Sequence, residues 1–63
     1  MELTKENLKK FRKKHGLSQG DMSVRVGVSL ESYRRWELGY VNPNEENKKR
    51  LQEVIREIEK RGE

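Results

Sequence analysis

Residues 18–37 constrain this chain most, because they hold two short helices with almost no chain left over to join them. Ser18 precedes the first helix and Asp21 follows three residues later. A hydroxyl there accepts from a free backbone N–H, and an early carboxylate complements the positive end of the helix. Met22 and Val26 are four apart and share a face. Gly27 takes positive φ at little cost and stops the helix. Ser29 caps a second helix, predicted over residues 30–38, with Tyr33 and Trp36 three apart on its buried side. A turn this short forces a steep crossing. That is the geometry of a helix-turn-helix, whose second helix lies in the major groove of DNA.

The same helix start occurs three times. Leu3, Thr4 and Leu8 repeat as Leu17, Ser18 and Met22, and again as Val28, Ser29 and Tyr33. In each, an apolar residue before the cap faces one in the first turn, as in a hydrophobic staple. The first helix is predicted over residues 5–15. Leu8 and Phe11 point inward, Lys9, Lys10, Lys13 and Lys14 point to water, and Gly16 closes the helix. His15 sits beside that helix end, where a cation is favoured, and carries no catalytic or ligand role. The last helix starts after a cap at Asn42 or at Asn44. Asn42 would put Pro43 first and Glu45 third, a good capping box. Leu51, Val54, Ile55 and Ile58 then form the apolar stripe of an amphipathic helix reaching about residue 61. The expected core is Leu8, Phe11, Leu17, Met22, Val26, Val28, Tyr33, Trp36, Leu51 and Ile55.

Sixty-three residues, 30% hydrophobic and 41% charged, fit one small domain over residues 1–63. With no cysteine, neither a disulfide nor a thiolate metal site is available. One histidine and no recognisable carboxylate-pair motif leave an enzyme almost without support, and neither a cofactor nor a small-molecule ligand is expected. The apolar runs are too short to span a membrane and no secretory signal is visible, so a cytoplasmic location is expected. The net charge of +4 is uneven. Residues 1–40 carry nine Lys/Arg against five Asp/Glu, and residues 41–63 carry six against six. The surplus lies with the paired short helices, where it attracts a phosphate backbone without reading sequence.

Arg12, Gly16-Leu17-Ser18-Gln19, Gly27-Val28-Ser29, Trp36-Glu37, Gly39 and Pro43 stand in the order and spacing of one known pattern. From about Leu8 to about Ile55 the chain resembles the helix-turn-helix of the phage repressor and Cro family, also called the XRE family. The resemblance implies an all-α fold, a compact repressor-like bundle of four or five helices. Here the helices fall at about 5–15, 19–26, 30–38 and 44–61, with the long last helix standing in for a fifth. It also implies binding of double-stranded operator DNA, usually as a homodimer, and a structural ion pair between Arg12 and Glu37. Four positions depart from the family pattern. Ser23 replaces the usual Ala where the two helices nearly touch. Tyr33 replaces a β-branched aliphatic, so its hydroxyl is expected to reach the surface or a partner. Val24 and Leu38 replace polar residues, either as scattered exposed side chains or as part of a subunit contact.

At ~100° per residue, the side opposite Tyr33 and Trp36 carries Glu31, Arg34, Arg35 and Leu38, flanked by Leu30 and Ser32. By resemblance, Gln19, Leu30, Glu31 and Arg35 occupy base-contacting positions. Ser18, Ser29, Ser32 and Arg34 are placed for phosphates or for bases at the edge of the site. Arg35 can pair with guanine O6 and N7, which is favoured here over a phosphate contact. Gln19 can bond DNA or brace a neighbour, and the resemblance favours DNA. Leu30 meets a thymine methyl or is ordinary exposed surface. Glu31 accepts from cytosine N4 or pairs with Arg34 or Arg35, and the pairing is favoured. Tyr40 and Asn42, in the loop after Gly39, bond phosphate or pack the loop. The favoured function is that of a small transcriptional regulator or repressor of phage or mobile-element type. The alternative is a protein-binding module, such as the antidote half of a toxin–antitoxin pair.

Overall fold

The computed structural model describes residues 1–62, and their regular structure is four α-helices. They are α1 (Lys5–Lys14), α2 (Gln19–Val26), α3 (Leu30–Leu38) and α4 (Glu45–Lys60). Each begins at a side-chain cap. The Thr4 hydroxyl accepts from Asn7 N–H at 3.1 Å, Ser29 from Ser32 N–H at 3.1 Å, and the Asn44 side chain from Asn47 N–H at 2.9 Å. At Ser18 the cap is reciprocal. Its Oγ accepts from Asp21 N–H, and its own N–H donates to the Asp21 carboxylate, both at 2.9 Å. Four orphan donors at each helix start make such caps worth about 1 kcal/mol apiece.

One boundary moves and one is decided. Helix α1 stops at Lys14, with His15 as its cap rather than its last residue. Helix α4 is capped by Asn44, not Asn42, and Pro43 before the cap is buried. The Asn44 side chain settles the start, which the capping-box pattern alone leaves open. Arg61 is the closing cap, and a fifth helix is not present among the described residues.

Helix α3 packs against both α1 and α2, and α2 packs against α4, so the second and third helices sit at the centre. The core is Leu8 and Phe11 from α1, Met22 and Val26 from α2, Tyr33 and Trp36 from α3, and Leu51, Ile55 and Ile58 from α4. Each fully buried aliphatic or aromatic side chain contributes roughly 1.5–3 kcal/mol. Leu17 and Val28 are only partly buried. They precede caps at helix junctions, where one side of the residue stays open to water. Ile58 is wholly buried and completes the α4 stripe one turn beyond the expected core. Ser23 is buried at the crossing of α2 with its neighbours, and its hydroxyl donates to the Gly20 carbonyl at 2.8 Å. A small polar residue therefore replaces alanine there without leaving its oxygen unpaired.

The turn between α2 and α3 depends on Gly27, at φ +86°. Its N–H and that of Val28 both donate to the Ser23 carbonyl, at 2.9 and 3.0 Å, closing the end of α2 before Ser29 opens α3. Gly39, at φ +79°, closes α3 in the same way. The Lys5 side chain passes over it so closely that an added Cβ would lie 2.8 Å from Lys5 Cδ.

Candidate nucleic-acid interface

Helix α3 has one face sealed and one face open. Tyr33 and Trp36 are buried, with their rings edge-on at 5.9 Å. Leu30, Glu31, Arg34, Arg35 and Leu38 are exposed on the other side. Arg35 Nη2 donates to Glu31 Oε2 at 3.1 Å, one turn back along the helix. Arg34 forms no ion pair among the described residues, so its guanidinium is uncommitted. The open face thus presents one tethered arginine, one free arginine and an apolar residue at the N-terminal end.

A buried ion pair fixes how this helix is presented. Arg12 Nε donates to Glu37 Oε2 at 2.7 Å and Arg12 Nη2 to Glu37 Oε1 at 3.0 Å. Arg12 Nη1 also donates to the Leu17 carbonyl at 3.0 Å. One guanidinium thereby ties α1, the turn before α2, and the last turn of α3. The fork of donors on arginine matches a carboxylate in two parallel bonds, which sets orientation as well as energy. The Glu37 hydrogen bonds hold the Arg12 pKa above its ordinary value. Burial works against the Glu37 charge, but Arg12, the nearby Tyr33 hydroxyl and Gln19 outweigh it, so that carboxyl lies below the usual range.

Of the two roles open to Gln19, the free protein shows the bracing one. Its Nε2 donates to Glu37 Oε1 at 3.2 Å, and the residue is half-buried at the start of α2. In the free protein it braces Glu37. The serines face solvent to different degrees. Ser18 and Ser29 are exposed at their caps, with oxygens accepting from Asp21 and Ser32 N–H. Ser32 is half-buried, its hydroxyl bonded to that of Ser29 at 3.0 Å. Tyr40 and Asn42 are exposed in the loop after α3. Ser18 and Ser29 stand at the N-termini of α2 and α3, where free N–H groups favour anions.

The basic residues of α1 reach the same region. Lys5 and Lys9 line a shallow depression with Glu37 and Leu38 beside the C-terminal end of α3. Lys10, Lys13 and Lys14 are exposed on the outer face of α1. Lys5 was not singled out by the sequence, since its approach to α3 depends on the bare backbone of Gly39. The Tyr33 hydroxyl is also misjudged by the sequence. It does not reach the surface but is buried without a hydrogen-bond partner. Its i,i+4 spacing from Glu37 puts both on the inner face of α3. No helix is long and apolar enough to cross a membrane among the described residues.

Two short helices crossing at a glycine turn, the second held with an arginine-bearing face outward, define a helix-turn-helix. The family model described as helix-turn-helix matches residues 8–60, and the chain belongs to that family, in its XRE type. It is therefore a DNA-binding protein of the transcription-regulator type, and its family is not one of enzymes. No curated protein and no solved structure gives a significant match.

Proposed function

We propose that this protein is a small repressor of phage or mobile-element type that reads an operator in the major groove with α3. The observation that carries this reading is the division of α3 into a sealed aromatic side and an open side bearing Arg34 and Arg35. Arg35 reads a guanine, Glu31 orients it, and Leu30 meets a thymine methyl, in line with the pairings that base edges permit. Gln19 reaches DNA at the start of α2. Ser18, Ser29, Ser32, Arg34, Tyr40 and Asn42 hold phosphates along both strands. Two copies dock on half-sites about one helical turn apart and block polymerase.

The test is selection of genomic fragments by the purified protein, run in parallel with Arg35→Ala. The expected result is a short inverted repeat, bound with a steep loss of affinity as salt rises. In Arg35→Ala the preference at one base pair of each half-site disappears. A folded wild type that prefers no site at moderate salt would sink the repressor reading.

A further inference from the structure

The two arginines on the open face of α3 are neighbours in sequence but differ in electrostatic state. Arg34 forms no ion pair among the described residues, so its whole charge is available to an anion. Arg35 is held by Glu31 through a single hydrogen bond, from Nη2 to Oε2 at 3.1 Å. The acid stands four residues toward the N-terminus, the better order for such a pair on a helix. Both side chains are exposed, so the pair lies on the surface offered to DNA rather than inside the fold. Arginine carries several N–H donors in a rigid fork, and Glu31 occupies one of them. Beside that carboxylate Arg35 attracts an anion less than Arg34 does, while its remaining donors stay free.

We propose that Glu31 is a specificity-determining residue, which sets Arg35 to prefer the neutral edge of a guanine over a charged phosphate. The inference rests on the reading of α3 as the helix that contacts the operator. Guanine O6 and N7 are uncharged acceptors, and a nearby carboxylate does not repel them as it repels a full negative charge. A phosphate brought to Arg35 also meets Glu31, one turn back on the same face. That repulsion acts on charge, so it persists when the hydrogen bond itself is exchanged. Specificity is a difference between two affinities, and weakening the wrong complex raises it as surely as strengthening the right one. Unselected DNA is held almost wholly through its phosphates, so that complex bears the larger share of the penalty. Arg34, without such a partner, is left to hold phosphate, and the two neighbours divide the work.

The experiment compares wild type with Glu31→Gln, which keeps the shape of the side chain and removes its charge. Affinity is measured over a range of salt for the fragment selected by wild type and for an unrelated duplex of equal length. Affinity for the unrelated duplex rises on the order of threefold to tenfold, and its salt dependence steepens by about one phosphate. Affinity for the selected fragment rises less or falls, so the ratio of the two drops by about threefold or more. Glu53→Gln removes the same charge from an exposed position on α4 that forms no ion pair among the described residues, and it leaves the ratio unchanged. Both positions are exposed, so both variants fold. An equal rise on both duplexes overturns the proposal, because Glu31 would then repel DNA without discriminating. So does an unchanged affinity for the unrelated duplex, or an equal drop of the ratio in Glu53→Gln. If wild type selects no fragment, the operator reading fails and takes this inference with it; if wild type discriminates and Glu31→Gln discriminates equally well, only this inference fails.

Discussion

Helix α3 contributes to two Arg–Glu pairs built from identical groups, and they do different things. Arg12 and Glu37 meet at 2.7 Å with side chains 13% and 3% exposed, and they join residues 25 apart in the chain. Glu31 and Arg35 meet at 3.1 Å with side chains 67% and 54% exposed, one turn apart on one helix. Water and salt screen the second pair, and such i,i+4 pairs are worth about 0.3–0.5 kcal/mol. The first is largely shielded, and its two parallel bonds resist rotation as well as separation. The lesson is that surroundings, not the groups, decide the role. The inner pair sets the attitude of α3, while the outer pair is weak enough for its arginine to exchange a carboxylate for a base.

The largest effect expected from this contrast comes from cutting the inner pair. Glu37→Ala leaves Arg12 partly buried and unpaired, and should lower unfolding free energy by about 3 kcal/mol in urea denaturation. A loss under about 0.5 kcal/mol would make the inner pair no different from the outer one. Next is Arg35→Ala, which should relax discrimination at one base pair by about 1–3 kcal/mol in competition binding. Its stability should stay within about 0.5 kcal/mol of wild type.

Acid provides a milder probe. The folded Glu37 carboxyl lies below its ordinary value of 4.5. The stability it contributes is therefore complete above about pH 4.5 and is lost as pH falls through the lower folded value. Glu37→Gln should flatten the acid limb of the stability–pH curve. It should not abolish it, because the Ser18 N–H also holds the Asp21 carboxyl below its usual range. An acid limb identical to wild type would remove Glu37 from the account. Smallest of all is Glu31→Ala, expected to change unfolding free energy by no more than about 0.5 kcal/mol. A larger loss would mean that the outer pair supports the fold.

The helix starts were legible in the sequence because caps and staples are local. Thr4, Ser18 and Ser29 each act within three residues, so spacing alone locates them. The arginine face of α3 was legible for the same reason, since helical periodicity separates it from Tyr33 and Trp36. Contacts between distant residues were not. The Gln19 bond to Glu37 spans 18 positions, and nothing near Gln19 announces it. Tyr33 was expected to bring its hydroxyl to the surface or to a partner, yet the position it fills is fully enclosed. The start of α4 was legible only as a choice between Asn42 and Asn44, and Asn44 is the cap, beside a buried Pro43.

Helix α3 has nine residues, about 13 Å of rod. Isolated helices below about 12–15 residues barely hold together in water. The surface offered to DNA therefore has no shape of its own and borrows it from Trp36 and Tyr33 behind. A peptide copying residues 30–38 should be unstructured. In the whole protein, anything that loosens the seat of Trp36 dissolves the reading edge from the rear, with Arg35 itself untouched.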